Sequence, residues 1–94
     1  MKLLVCYDII ETKSRNEIIN LLFDFGFKRL QYSVFLGELS RKRLNKLIKY
    51  INQFIDIKED SFYIFNFSEK DFNKSVFLGK ISTEKTLKND FYIF

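Results

Sequence analysis

MKLLVCYDI, residues 1–9, begins the chain with an apolar run that ends in a carboxylate. The run from Leu3 to Cys6 lacks the spacing of polar residues that marks a surface helix. This pattern favours a strand that is buried on both faces and is therefore central in its sheet. Asp8 follows at the end of this strand. A carboxylate in that position is either a hydrogen-bonded structural group or the beginning of a functional site.

Two amphipathic helices are predicted from the spacing of apolar residues. Ser14 and Glu17 form a capping-box pattern at the start of the first helix, and Gly26 stands where a left-handed residue would end it. Ser40 is a suitable N-cap for a second helix that runs from Arg41 to about residue 54. Each helix has one apolar stripe, formed by Ile18, Leu21, Leu22 and Phe25 in the first and by Leu44, Leu47, Ile48, Ile51, Phe54 and Ile55 in the second.

The segments between and after the helices are typical of strands. Residues 27–36 alternate, with a phase shift near Tyr32 that predicts two strands or one strand with a bulge, and Gly37 is expected to end this segment. Residues 61–67, SFYIFNF, are so rich in aromatic side chains that both faces of this strand should be covered. A polar connection at residues 68–74 and a short strand at residues 76–78 should follow.

The element order β-α-β-β-α-β predicts an α+β domain with the ferredoxin-like, or split βαβ, arrangement, in which an antiparallel sheet carries both helices on one face. We assign residues 1–78 to this domain and residues 79–94 to a C-terminal extension that ends in an aromatic strand from Asp90 to Phe94. The other sheet face would be bare in a monomer. A second copy is the simplest cover, so we expect a homodimer packed through the sheet face, with the extension at the interface.

Composition restricts the chemistry. The 94 residues include no histidine, which excludes the usual zinc sites and every histidine-based triad, and the three glycines are too dispersed for a phosphate loop. Twelve phenylalanines and five tyrosines favour either an interface or a Phe-rich core, and the net charge of +4 favours a polyanionic partner. A single cysteine, Cys6, and the lack of a signal peptide or membrane span predict a cytoplasmic protein.

Several short motifs together resemble one family. They are Tyr7-Asp8-Ile9 at the end of the first strand, Arg15 in the first helix, Phe25-Gly26-Phe27, Arg29, Gln31-Tyr32-Ser33-Val34-Phe35 and Gly37-Glu38-Leu39. Over about residues 1 to 78 the chain resembles the small CRISPR-associated adaptation proteins of the Cas-two (Cas2) family, which are ferredoxin-like metal-dependent nucleases. It departs from many members at Ser14, where they carry a basic residue, and near Asn66, where they often carry a proline.

The resemblance implies a homodimer in which an aspartate from each subunit, Asp8 here, faces the other at a divalent metal site. It also implies a partnership with the CRISPR integrase (Cas-one) in the capture of short duplex DNA, and thus a role in spacer acquisition. Family members are described as ribonucleases, as deoxyribonucleases and as non-catalytic scaffolds. The predicted activity is therefore that of a metal-dependent endonuclease, with duplex DNA and single-stranded RNA as candidate substrates.

The chemistry of Asp8 agrees with this expectation. Magnesium takes six oxygen ligands, often one or two carboxylates with waters and phosphates, and manganese accepts the same donors. One Asp8 is a poor site, but two copies across a two-fold axis supply a pair. Asp8 is therefore the predicted ligand of Mg²⁺ or Mn²⁺ and the predicted catalytic residue. In the structural alternative, Asp8 caps the first helix or accepts hydrogen bonds from Lys13 and Ser14.

Basic residues form the second group of candidates. Arg15 and Arg29 are suited to clamping phosphates, or else they form ion pairs with Glu11 or Asp24. Three lysines of the second helix are either a solvated face or, doubled in a dimer, a stripe for the duplex backbone: Lys42, Lys46 and Lys49.

Three further residues are supporting or interface candidates. Tyr7 should point away from Asp8 if the strand is regular, which favours a core or interface role. Ser33 would either orient a metal-bound water or serve the turn, and Phe35 belongs to the core or the interface.

Three functions remain open at this point. The first is a metal-dependent phosphodiesterase in CRISPR adaptation, and the second is a non-catalytic dimeric scaffold that holds duplex DNA and bridges integrase subunits. The third is a ribonuclease toxin of the VapD type, which shares the fold. An RNA-recognition module of the same topology lacks its expected motif of aromatic and basic residues beside glycine.

Overall fold

The structure, a computed structural model, describes residues 1–79. Four strands form one antiparallel sheet with the spatial order β2-β3-β1-β4. In chain order, the elements are β1 (Lys2–Asp8), α1 (Thr12–Asp24), β2 (Lys28–Gln31), β3 (Val34–Glu38), α2 (Arg41–Asn52), β4 (Ser61–Phe67) and α3 (Glu69–Asn73). The predicted α+β class, the antiparallel sheet and the central position of β1 are confirmed. The predicted C-terminal extension lies, apart from Gly79, outside the described residues.

One face of the sheet carries the core. Leu3, Val5 and Tyr7 alternate along β1 and are buried on this face. The same cluster continues into both long helices through Ile18, Leu22, Leu44, Leu47 and Ile51. Helices α1 and α2 therefore pack on the same face of the sheet.

Within residues 1–79, the opposite face is covered mainly at β2 and β3, and Leu4 of β1 packs against the edge of this cover. Leu30 and Leu36 are buried there, and Phe72 and Phe77 pack against them from the segment after β4. A polar connection was expected in this segment, and helix α3 forms instead. Ser68 caps it by accepting a hydrogen bond from a backbone N–H at 3.0 Å, and the buried surface available to Phe72 favours a helix there. Phe77 forms an isolated bridge in place of the predicted short strand.

The β1 and β4 part of this opposite face is open in the described chain. Tyr63 and Phe65 of β4 are exposed, and Leu4 and Cys6 beside them in the register are half-buried. The prediction that β1 and β4 are covered on both faces is therefore not met by the described residues alone. We refer to Leu4, Cys6, Tyr63 and Phe65 as the open face.

Helix α1 begins earlier than its capping-box pattern predicts. The N-cap is Glu11, and no side chain accepts a capping hydrogen bond there. Ser14 lies within the first turn, where its Oγ donates to Glu11 Oε1 at 2.6 Å. The early start has a tertiary cause. Ile9 is buried in the core directly after β1, so the chain turns into the helix before it reaches Ser14.

The end of α1 forms as predicted. Gly26 has a φ of 88°, and its N–H donates to the Phe23 carbonyl while the N–H of Phe27 donates to the Leu22 carbonyl, both at 2.9 Å. These two bonds define a Schellman motif. The motif directs the Phe27 ring over Gly37, where an added Cβ would lie 2.6 Å from Phe27 Cδ2. Gly37 thus permits close packing inside β3 and does not end the strand, which corrects the prediction.

The β2–β3 hairpin and α2 agree with the sequence. Tyr32 and Ser33 form the turn between two separate strands, and a register irregularity follows Arg29. Ser40 caps α2 by accepting a hydrogen bond from Arg43 N at 3.2 Å. Within residues 1–79, no helix is long and apolar enough to cross a membrane.

Candidate functional site at the end of β1

Asp8 is the last residue of β1 and is exposed. Strand alternation places it on the same side of the sheet as Cys6 and the open face, and its register partner is Ser61. No residue of the described chain donates a hydrogen bond to its carboxylate or forms an ion pair with it. In particular, Ser14 Oγ donates to Glu11 and not to Asp8. The alternative in which Asp8 caps the first helix or accepts hydrogen bonds from Lys13 and Ser14 therefore has no contact to support it.

Arg15 holds the turn that follows Asp8. Its Nη1 donates to the Ile9 carbonyl at 3.0 Å, and its Nη2 donates to Thr12 Oγ1 at 3.2 Å. It forms no ion pair with Glu11 in this conformation. Because these contacts use only part of the guanidinium, its remaining N–H groups are available to an anion beside the turn.

Asp60 fixes the same turn from the other side. Its Oδ1 accepts a hydrogen bond from Ile10 N at 2.9 Å, and its Oδ2 accepts one from Asp56 N at 2.9 Å. The carboxylate thereby ties the β1–α1 connection to the loop before β4. Sequence reasoning missed this residue. The signal was a carboxylate just before Ser61, but the pairing of Ser61 with Asp8 was needed to interpret it.

Tyr7 and Arg29 converge on a single backbone carbonyl. Tyr7 Oη donates to Tyr32 O at 2.8 Å, and Arg29 Nη2 donates to the same atom at 2.7 Å. The guanidinium carbon of Arg29 lies 5.6 Å from the Tyr32 ring centroid and 5.5 Å from that of Phe35. Arg29 is therefore fixed between two rings, and it does not pair with Asp24.

The environment of the Tyr7 hydroxyl shifts its pKa. Burial raises its pKa above the ordinary tyrosine value, and the positive charges of Arg29 and Arg15 partly oppose the rise. Tyr7 therefore remains a neutral donor at physiological pH. As predicted, it points to the core, away from Asp8.

Ser33 and Phe35 have structural positions. The Ser33 carbonyl accepts a hydrogen bond from Tyr7 N at 3.1 Å, so this residue contributes through its backbone. Phe35 is fully buried, with its ring centroid 6.1 Å from that of Tyr7 and 5.3 Å from that of Phe23. Of the two roles considered for Phe35, the described chain shows the core role.

The lysines of α2 form a separate surface. Lys42, Lys46 and Lys49 are exposed, and every charged residue of α2 is basic. The helix begins at the end of the sheet opposite to Asp8, because Glu38, shortly before it, pairs with Lys2 at the start of β1. The structure therefore brings Tyr7, Arg15, Arg29 and Ser33 near the end of β1, and the lysine row lies on the separate helix α2.

Asp8 is a carboxylate at this end of the sheet that has no partner among the described residues. No group of three or more potential ligands of the His, Cys, Asp or Glu type occurs in the part of the chain that the structure describes. Both oxygens of Asp60 are already bonded to backbone N–H groups. Asp8 suits Mg²⁺, which proteins usually bind through one or two carboxylates while water and phosphate oxygens complete its coordination.

The sequence is similar to a known protein family over most of its length. Residues 1–75 match the family described as CRISPR associated protein Cas2. A protein of Methanospirillum hungatei named CRISPR-associated endoribonuclease Cas2 1 is 49% identical over 45 residues, which are 48% of this chain and 47% of the relative. An Archaeoglobus fulgidus protein of the same name is 38% identical over 61 residues, 65% of each chain. The chain thus spans about half to two thirds of the length of these relatives.

Solved structures share the architecture. Cas2 of Streptococcus pyogenes superposes with a TM-score of 0.74 at 26% identity, covering 84% of this chain and all of that one. A hypothetical protein of Thermus thermophilus superposes with a TM-score of 0.67 at 30% identity, covering 71% of this chain and 80% of the other.

Proposed function

This chain belongs to the CRISPR-associated protein Cas2 family, and from that membership we propose that it is a metal-dependent endonuclease acting in CRISPR adaptation. The observation that carries the proposal is Asp8, an exposed carboxylate at the end of the central strand with no partner among the described residues. Relatives named CRISPR-associated endoribonucleases support a nuclease activity, with RNA as one substrate. The alternative of a VapD-type toxin gains no support from the family match.

The proposed active form is a ferredoxin-like homodimer. Asp8 lies on the same side of the sheet as the open face, so a second copy on that face would bring its own Asp8 towards the first. Two aspartates would then hold Mg²⁺ or Mn²⁺. Such an ion would polarise a phosphodiester and lower the pKa of a bound water.

The residues around Asp8 have supporting roles in this proposal. Arg15 would offer its free N–H groups to a substrate phosphate, since guanidinium groups bind phosphate oxygens in a planar, directed manner. Asp60 and Arg15 together keep the connection after Asp8 in one conformation through the backbone of Ile10 and Ile9. A fixed connection holds the carboxylate ready and reduces the entropy lost on binding.

The test is Asp8→Asn, which removes the charge and keeps the size. Cleavage of RNA and DNA substrates and magnesium binding should be lost together, while the melting temperature in chelator should stay the same or rise, because two facing carboxylates repel each other without a metal. A structural aspartate should instead destabilise the protein by about 1–2 kcal/mol on substitution, with or without magnesium. Persistent cleavage by the variant would refute the enzymatic proposal.

A second proposal is that the same dimer binds duplex DNA as a scaffold together with the CRISPR integrase (Cas-one). The exposed basic row of α2 favours it, because neutralisation of phosphates needs no base readout. Replacing Lys42, Lys46 and Lys49 by alanine should weaken duplex binding for all sequences and flatten its salt dependence, leaving cleavage of short RNA intact. Affinities that differ by more than about tenfold between unrelated duplexes would contradict this electrostatic mode.

A further inference from the structure

Tyr32 is an exposed ring on a rigid backbone. Its side chain, at the tip of the β2–β3 hairpin, is 81% exposed. Its carbonyl nevertheless accepts two hydrogen bonds, from Tyr7 Oη at 2.8 Å and from Arg29 Nη2 at 2.7 Å. A short hairpin turn normally uses glycine, asparagine or aspartate, so the turn itself gives no reason for a large aromatic residue here.

A fixed cation lies beside this ring. The Arg29 guanidinium carbon is 5.6 Å from the Tyr32 ring centroid, within the range of a cation–π contact. On its other side the guanidinium lies 5.5 Å from the ring of Phe35, which is fully buried. Arg29 Nε is buried and has no hydrogen-bond partner within residues 1–79, so the rings and Tyr32 O hold the group. The exposed tyrosine therefore rests against an anchored positive charge.

The hairpin tip adjoins the end of β1. Tyr7 N donates to Ser33 O at 3.1 Å, so the turn contacts the residue that immediately precedes Asp8. Ile10, which follows the strand, is a further exposed apolar side chain in this region. A nucleic-acid strand that presents a phosphodiester to Asp8 therefore passes close to an exposed aromatic ring and to two arginines, Arg15 and Arg29.

We propose that Tyr32 is a stacking platform for an unpaired nucleobase beside the phosphodiester bound at Asp8. Aromatic side chains bind the faces of unstacked bases with little sequence preference, and a neighbouring cation adds attraction to the strand. Bases inside a duplex keep both faces stacked and cannot use the platform. The ligand class is therefore a single-stranded segment of RNA or DNA. This inference rests on the proposed function, because Asp8 supplies the neighbouring phosphodiester.

The experiment measures binding without cleavage. Labelled single-stranded RNA and DNA of one sequence, and the matching duplex, are titrated in chelator with the wild type, Tyr32→Phe and Tyr32→Ala. Tyr32→Ala should weaken binding of both single strands about tenfold and leave duplex binding within twofold. Tyr32→Phe should bind like the wild type, because it keeps the ring. Ile57→Ala removes an equally exposed apolar side chain in another loop and serves as the matched control, expected to have no effect.

Abasic oligonucleotides supply the second arm. Replacing bases by abasic sites should weaken wild-type binding as Tyr32→Ala does, and Tyr32→Ala should be insensitive to that replacement. Equal losses for duplex and single strand, a loss confined to RNA, or a change in oligomeric mass in Tyr32→Ala would each overturn the proposal. The proposed nuclease function is judged separately by Asp8→Asn in magnesium. If that variant cleaves while Tyr32→Ala still loses single-strand affinity, only the proposed function fails.

Discussion

At the end of β1, adjacent residues have different roles because their side chains lie in different environments. Asp8 and Tyr7 are neighbours in sequence, yet one is exposed without a partner in the described chain and the other is buried with its hydroxyl bonded to Tyr32 O. The alternation of side chains along a strand produces this division. Tyr7 connects the core with the hairpin turn. Its ring packs in the core, and its hydroxyl donates to the Tyr32 carbonyl, which Arg29 also bonds.

We expect Tyr7 to make stability depend on alkaline pH. Its pKa is raised in the folded state, so the unfolded chain releases the proton first, and the free energy of unfolding falls once the pH exceeds the ordinary tyrosine pKa of about 10. Tyr7→Phe loses one hydrogen bond, about 1 kcal/mol at neutral pH. The difference in unfolding free energy between wild type and variant should therefore shrink above about pH 10. Urea unfolding at pH 7, 9 and 10.5 measures it, and a constant difference would disprove the linkage.

At the scale of elements, features with local causes could be predicted and features with tertiary causes could not. The Schellman end of α1 at Gly26 and the Ser40 cap of α2 follow from requirements of a few neighbouring residues. The early start of α1 depends on the burial of Ile9, and helix α3 depends on an apolar surface for Phe72. Neither contact is visible along the chain, because both join segments distant in sequence.

In the candidate site, too, features with local causes could be predicted from the sequence and features with tertiary causes could not. Asp8 was identifiable from the abrupt end of an apolar run, which is a local pattern. Two features required the pairing of strands. They are the bridge from Asp60 to Ile10 and the convergence of Tyr7 and Arg29 on Tyr32 O. Register is specified by the whole sheet and not by any one strand, so these contacts could not be derived beforehand.

Gly37→Ala tests the packing of β3 against the end of α1. The new Cβ would lie 2.6 Å from the ring of Phe27, a buried residue that cannot easily move. We expect a loss of about 1–3 kcal/mol in unfolding free energy, the usual cost of overpacking. The loss in unfolding free energy from Gly37→Ala should be much smaller in the Phe27→Leu background, because the ring that meets the new Cβ is then absent. A double-mutant cycle by chemical denaturation measures this, and an equal cost in both backgrounds would show that the backbone, and not the ring, is responsible.

At the scale of the whole molecule, the uneven cover of the sheet is the main feature. One face is buried under α1 and α2, while Tyr63 and Phe65 on the other are exposed beside Leu4 and Cys6. Burial raises the pKa of the Cys6 thiol even in the single chain, so this side chain is already partly withdrawn from solvent. Apolar surface of this kind usually marks an interface.

The expected result is an obligate homodimer that buries well above roughly 1,000 Å² in total. Phe65→Lys should weaken or abolish it, because a lysine would place a charge in an apolar contact. Ile57→Lys, at an exposed residue of the loop before β4 that is not part of the open face, should leave the dimer intact. Light scattering after size exclusion at micromolar concentration gives the mass. A folded wild-type monomer under these conditions would rule out the interface.

The central place of β1 also orders events during synthesis. Lys2 pairs with Glu38 on one side and with Phe67 on the other, so β1 is translated before both of its neighbours and gains the second one only when β4 follows. A nascent chain can assemble β1, α1, β2 and β3 early, but one edge of β1 then stays open for the time needed to translate α2 and β4, on the order of seconds. An apolar edge is a template for wrong strands. The arrival of residues 61–67 therefore covers this edge and ends its exposure to wrong partners.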